Sequence, residues 1–268
     1  MAKFYCVLIL FLSLHSPSLG NGNSIQEDLK STLDDSRIVN GVPAQPNQFP
    51  YQVVMIIYMA NGAALCGGSI LSNQWILTAG HCVEGAKRFL IILGTTKLFD
   101  RSDPSRVEIN ATEFIRHEKY NPNTIVNDIA VIKLPSPITF TDSIKPVSIQ
   151  RKSTIIAGKK AIVSGFGITK DNGNVSEVLN YATMKVLLNA ECSLFYPTLV
   201  KATNVCARGY LLESACHGDS GGPLVLESTK EQIGLVSFGH GLGCEKGLPV
   251  VYTLISAYSS WINQKTGV

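Results

Sequence analysis

Apolar or alternating runs of strand length recur along this chain with no helical pattern alternating between them, and that restricts the fold most. The runs are Tyr51–Tyr58, Ser69–Leu71, Trp75–Thr78, Phe89–Leu93, Ala130–Leu134, Ala161–Ser164, Tyr181–Leu187, Pro223–Leu226, Gln232–Ser237 and Val250–Leu254. Clusters of turn formers separate them, such as Asn121-Pro122-Asn123 and Lys170-Asp171-Asn172-Gly173-Asn174. Many short strands without alternating helices imply antiparallel sandwiches or barrels, an all-β class. Only Ser256 to Gln264 carries a helical spacing, with Tyr258, Trp261 and Ile262 on one side. Of 268 residues 45% are apolar and 16% charged, which gives a packed core and excludes disorder. The net charge of +3 comes without any Lys/Arg cluster, so nucleic acid is not an expected partner.

The amino terminus predicts export. Lys3 precedes the apolar stretch Phe4 to Leu14, and the chain then turns small and polar, ending Ser18-Leu19-Gly20. A short basic region, an apolar core and a small-x-small site describe a secretory signal peptide over residues 1–20. A membrane span needs about 20 apolar residues, so no anchor is expected. Residues 21–37 are polar and acidic, lack aromatics and end at Arg37, as a propeptide with nothing to bury would. Cys6 leaves with the signal. Cys66, Cys82, Cys192, Cys206, Cys216 and Cys244 remain, an even number in an exported chain. That reads as three disulfides, with fifteen connectivities open, and no C-x-x-C pair supports a zinc site.

Three segments carry the chemistry. Gly218-Asp219-Ser220-Gly221-Gly222-Pro223 presents a serine in a glycine-rich turn, where backbone N–H groups can approach a substrate carbonyl unobstructed. Leu77-Thr78-Ala79-Gly80-His81-Cys82 holds a histidine beside a cysteine that can be bridged. Asn127-Asp128-Ile129-Ala130-Val131-Ile132-Lys133-Leu134 carries an aspartate into an apolar strand, where a buried carboxylate needs partners. Each alone has a plain structural reading, as turn, core histidine or strand entry. Together they supply a nucleophile, a base and a carboxylate to orient the base.

With Ile38-Val39-Asn40-Gly41 and Ser237-Phe238-Gly239, these segments resemble the chymotrypsin-like serine proteases from Ile38 to the end of the chain. Gln48-Phe49-Pro50-Tyr51-Gln52 and the ending Trp261-Ile262-Asn263-Gln264-Lys265-Thr266-Gly267 look most like arthropod chymotrypsin-like and brachyurin-type enzymes. The resemblance implies two six-stranded antiparallel β-barrels, about 38–145 and 146–268, a C-terminal helix, and a site in the cleft between barrels. It implies Ser220 as nucleophile, His81 as base, Asp128 as its orienting carboxylate, and Gly218 and Ser220 N–H groups as the oxyanion hole. By the same pattern Cys66 pairs with Cys82, Cys192 with Cys206, and Cys216 with Cys244. Cutting Arg37-Ile38 would free the Ile38 amino group to pair with Asp219.

The implied specificity pocket has Ser214 at its base, Gly239 at its mouth and Val250 near its bottom. Without an aspartate at the base, cleavage after Lys or Arg is not expected. Val250 replaces a usual glycine and should make the pocket shallow. Phe166 and Phe238 stand where tryptophan is usual. Around Gly94–Arg101 the acidic calcium ligands of trypsin are missing, so no metal or other cofactor is expected. Asn110-Ala111-Thr112 and Asn174-Val175-Ser176 are glycosylation acceptors. The expected partners are protein or peptide substrates, a trypsin-like activating protease and protein inhibitors, met by a monomer. A cascade protease or a non-catalytic binding homologue is the alternative, and the presence of all three site residues speaks against the latter.

Overall fold

The computed structural model describes residues 38–268; the expected signal peptide and the expected propeptide, with Arg37, lie outside the described residues. The first half forms β1 (Val42–Pro43), β2 (Gln52–Met59), β3 (Gly62–Ile70), β4 (Trp75–Thr78), β5 (Arg88–Leu93), β6 (Val107–Ala111), β7 (Glu113–Arg116) and β8 (Ala130–Lys133). The second half adds β9 (Ser148–Ile149), β10 (Lys160–Gly165), β11 (Asn180–Leu187), β12 (Asn204–Gly209), β13 (Pro223–Leu226), β14 (Glu231–Phe238) and β15 (Val250–Leu254). A turn of 3-10 helix, Ile255–Tyr258, leads into the C-terminal helix Ser259–Thr266, which Gly267 ends in the left-handed conformation.

Successive side chains on a strand face opposite ways, and β2 shows why an apolar run of this length is needed. Its Val53, Met55 and Ile57 enter one core with Phe89, Ile91 and Leu93 of β5. Its Val54 and Ile56 enter another with Leu90, Ile92, Phe166 and Ile168, which joins the two halves. A strand buried on both faces reads as continuous apolar sequence rather than alternation.

The first half is a curled sheet of seven strands in the order β6-β5-β2-β3-β4-β8-β7. Its two edges are consecutive in the chain, separated only by Thr112, so the backbone itself passes between them. The second half is a closed six-stranded barrel, β11-β10-β13-β14-β15-β12, shut by the β11–β12 pairing. Two short strands attach to it: β1 on β11, and β9 parallel to β14. The expected all-β pair of barrels with a C-terminal helix is therefore found, with closure by hydrogen bonds in the second alone. The expected boundary shifts at one end. Residues 38–43 precede the first sheet but pack on the second barrel, where Ile38 is fully buried among Val163, Ala182 and Leu224.

Candidate active site

His81 sits in a single helical turn, Gly80–Val83, directly after β4, and is 5% exposed. Asp128 leads into β8, the strand paired with β4, so the ladder brings the two together. Its Oδ1 accepts the His81 backbone N–H at 2.8 Å. Its Oδ2 lies 2.9 Å from His81 Nδ1 and accepts the Ser237 hydroxyl at 2.6 Å. The Asp128 carbonyl accepts the Thr253 hydroxyl at 2.7 Å. A buried carboxylate is tolerated because donors surround it; here the second barrel supplies one of them, Ser237, and holds the Asp128 backbone through Thr253. Close approach disfavours a side chain at position 80: a Cβ there would stand 3.1 Å from the Ile129 nitrogen and 3.3 Å from Asp128 Oδ1, so a neighbour would have to give slightly.

Burial disfavours the charged form of His81, but the Asp128 charge and hydrogen bond outweigh it and raise the imidazole above its ordinary pKa. An ionised carboxylate only accepts, so Nδ1 carries the proton facing Asp128 and Nε2 is left as the basic nitrogen.

Ser220 lies in a turn that its glycines make possible. Gly218 and Gly221 have φ of 95° and 75°, where a side chain is strained. A Cβ at Gly221 would lie 2.2 Å from Thr78 Oγ1, so the turn packs directly on the end of β4. The Ser220 carbonyl accepts the Gly67 N–H at 2.7 Å and lies 3.5 Å from Cys82 Sγ, the residue beside His81. Among the described residues, the Gly218 and Ser220 N–H groups have no backbone acceptor. His81, Gly218 and Ser220 line one cleft of about 480 Å³.

The disulfides are Cys66–Cys82, Cys192–Cys206 and Cys216–Cys244. The first clamps the turn that carries His81 to β3. The third ties the Ser220 turn to the loop beyond Gly239. Both place histidines near sulfur (Cys66, His81 and Cys82; Cys216, His217 and Cys244), but those sulfurs are bonded to each other and are not thiolate ligands.

Asp219 is a second buried carboxylate, 0% exposed. Its Oδ1 accepts the Gly167 N–H at 2.8 Å and its Oδ2 the Cys216 N–H at 2.9 Å. Burial pushes its pKa up to about 7, and the two N–H donors offset this only in part. Gly165 and Gly167 crowd it closely: a Cβ on either would fall within 2.5 Å of a carboxylate oxygen. Close by, Val39 forms a β-bridge with Ser214.

Of the expected pocket residues, Gly239 and Val250 line the cleft, together with Ala215 and Val236. Ser214, next to Ala215 in the chain, is buried and donates its hydroxyl to the Ala215 carbonyl at 2.9 Å. Glu245 accepts the Asp171 N–H at 2.8 Å, while Asp171 accepts the Cys244 N–H at 2.7 Å. Phe238 meets Tyr196 edge-on, and Phe166 is buried in the core joining the two halves. Ser237, Thr253 and Ala215, with His217 and His240 on the cleft, were not singled out from sequence as site residues. Asn110 is exposed on β6, accepting from Arg88, and Asn174 is half-buried in the turn before Val175. Among the described residues no helix is long and apolar enough to cross a membrane.

The family described as Trypsin matches residues 38–262. Brachyurin of Leptuca pugilator is 36% identical over 232 residues, 86% of this chain and 99% of that protein. Collagenase of Hypoderma lineatum is 35% identical over 241 residues, 88% of this chain and 90% of that protein. Trypsin of Sus scrofa is 36% identical over 236 residues, 87% and 97% respectively. The solved structure of HL collagenase superimposes with a TM-score of 0.78 at 35% identity, covering 86% of this chain and 99% of that one.

Proposed function

The chain belongs to the trypsin family of serine endopeptidases, and from that premise we propose that it is an exported zymogen which, once cut after Arg37, cleaves proteins after apolar residues. Ser220 Oγ attacks the scissile carbonyl while His81 Nε2 takes its proton. Asp128 holds the ring and offsets its positive charge, and the Gly218 and Ser220 N–H groups receive the developing oxyanion. His81 then protonates the leaving amine, and water hydrolyses the acyl-enzyme by the same route in reverse. This cleaves peptide bonds within protein substrates, as the family does.

The observation that carries the specificity is the lining of the cleft. Ala215, Val236, Gly239 and Val250 offer apolar surface, while the carboxylates on the same cleft are engaged, Asp171 by the Cys244 N–H and Glu84 by Arg116, and neighbouring Glu245 accepts from the Asp171 N–H. A Lys or Arg side chain buried there would lack a counter-charge, which costs several kcal/mol. Activation is supported by the burial of Ile38 in the second barrel and by the uncompensated carboxylate of Asp219. A trypsin-like protease cutting at Arg37 supplies the trigger, and protein inhibitors of the family's kind are its natural controls.

The test is direct. Brief trypsin treatment should produce an amino terminus Ile-Val-Asn-Gly with peptidase activity in parallel, and Arg37→Gln should resist both. A P1 library on the activated enzyme should favour Leu, Met and Phe and rank Lys and Arg last. Full activity before cleavage overturns the zymogen reading; Arg as the best P1 residue overturns the pocket reading.

A further inference from the structure

An enzyme that cuts after large apolar residues is a hazard to itself wherever it exposes one on a loop. Among the exposed leucines, Leu194 caps the helix Asn189–Ser193 through its own backbone N–H, and Leu188 accepts a hydrogen bond at the start of that helix. Leu242 lies inside the loop that the Cys216–Cys244 bridge closes. Leu211 differs from all three. It is 78% exposed on the irregular loop between β12 and Ser214, where its N–H is held only by the Glu213 carboxylate. Leu212, next in line, has φ of 67°, a conformation strained for leucine, and Tyr210 before it is half exposed. Straightening the loop would relieve that strain. It would give up the hydrogen bond from the Leu211 N–H to the Glu213 carboxylate, one long hydrogen bond, 3.5 Å from Asn40 to the Leu212 carbonyl, and the packing of Leu212 on Gly247.

We propose that the Leu211–Leu212 bond is a self-cleavage site, cut by a second copy of the activated enzyme; this rests on the apolar-pocket reading above. Ser220 Oγ of one molecule attacks the Leu211 carbonyl of another. The Leu212 amine leaves with a proton from His81, and one water releases Leu211 as a carboxylate. The consequence follows from the disulfides. Cys66–Cys82 and Cys192–Cys206 lie wholly within 38–211, and Cys216–Cys244 wholly within 212–268. The cut therefore leaves no covalent tie between the part bearing His81 and Asp128 and the part bearing Ser220.

The experiment incubates the activated enzyme, freed of trypsin, at several concentrations and follows it on non-reducing gels with amino-terminal sequencing. A fragment beginning Leu212-Glu213-Ser214 should appear and separate without reductant, at a rate rising with the square of concentration. Leu211→Asp should slow it at least tenfold while hydrolysis of a short Leu peptide is unchanged. A first new terminus elsewhere, or the same fragment at the same rate from Leu211→Asp, overturns the proposal. The same samples are assayed on Leu and Arg peptides. If the Leu peptide resists cleavage, the pocket reading falls and takes this site with it. If the Leu peptide is cut while the chain stays whole, only the self-cleavage site falls.

Discussion

Asp128 and Asp219 are both shut off from water, at 1% and 0% exposed, yet the protein treats them differently. Asp128 has three donors, among them a side chain that can itself become a cation: His81 N–H, His81 Nδ1 and the Ser237 hydroxyl. Asp219 has two backbone donors and, among the described residues, no cation, and its carboxyl is pushed up to about 7. Among the described residues one carboxylate has a partner that can become a cation, and the other has none. A carboxylate buried without a counter-ion is expensive, and it persists because Gly165 and Gly167 leave only enough room for it. On the proposed function the contrast divides the labour: Asp128 serves the chemistry directly, while Asp219 reports whether the amino terminus of Ile38 has been freed.

The strongest test of the complete site is Asp128→Asn. The amide keeps the shape but can donate to Nδ1, which turns the wrong tautomer toward Ser220. The rate constant kcat should fall about 10⁴-fold, with the thermal transition little changed. A loss under tenfold would place the orienting role elsewhere.

For the incomplete site the corresponding change, Asp219→Asn, should have opposite effects before and after cleavage at Arg37. Uncleaved protein loses an unpaired buried charge and should gain stability at neutral pH. Cleaved protein loses the partner of its new ammonium, and breaking such a pair costs about 3–5 kcal/mol. Its peptidase activity should therefore fall about 10²- to 10³-fold, although trypsin still cuts Arg37. Activity equal to the parent after cleavage would end the Ile38–Asp219 account.

Proton linkage sharpens the comparison further. The folded pKa of Asp219 lies above the ordinary value of 3.8, so the folded uncleaved chain binds this proton more tightly than the unfolded chain does. Its contribution is fully present below about pH 4 and is lost as pH rises through about 7. The uncleaved protein should thus lose ~2–4 kcal/mol between those limits. Cleaved protein should show a flatter profile, since the ammonium offsets the ionised carboxyl. Denaturant unfolding of both forms at pH 4, 5.5, 7 and 8 decides it, and identical slopes would remove Asp219 as the sensor. His81 acts in the other assay: raised above its ordinary value, it must lose a proton to serve as base. Peptidase activity should climb with pH to a midpoint above 6.5.

What could be read from sequence follows how far apart the interacting residues lie. His81, Asp128 and Ser220 each announce themselves through neighbours: a bridged cysteine, an apolar strand, a run of glycines. Ser237 and Thr253 do not, because their partner Asp128 lies 109 and 125 residues away and no local pattern marks the hydrogen bond. β3 was read only over Ser69–Leu71 because Gly62–Gly68 has glycine and alanine where strands usually carry bulk. The structure shows why: a Cβ at Gly67 would lie 2.9 Å from Gly222 Cα, and one at Gly68 3.0 Å from the Leu77 carbonyl.

The smallest effect tests the depth of the cleft beside Ala215, where the proposed function has an apolar wall in place of charge as the selecting feature. Val250 is 3% exposed, lines the cleft and pairs with Ala207 across β15 and β12. Its methyl groups occupy space that a tyrosine or tryptophan ring would otherwise enter, whereas a leucine side chain is shorter and should fit beside them. Val250→Gly removes those groups and leaves Ala215 and Gly239 in place. One methylene in such a pocket is worth about 1–3 kcal/mol, so the kcat/KM ratio of Trp to Leu substrates should rise about tenfold or more. Arg substrates should stay poor, because the change adds room and no carboxylate. Val250→Ala should fall between, which separates a steric effect from the general loosening that a glycine brings to a strand. A matched series of Leu, Phe, Tyr, Trp and Arg peptides on the three proteins reads this out. If the Trp-to-Leu ratio does not move, Val250 is a wall of the barrel and not of the pocket.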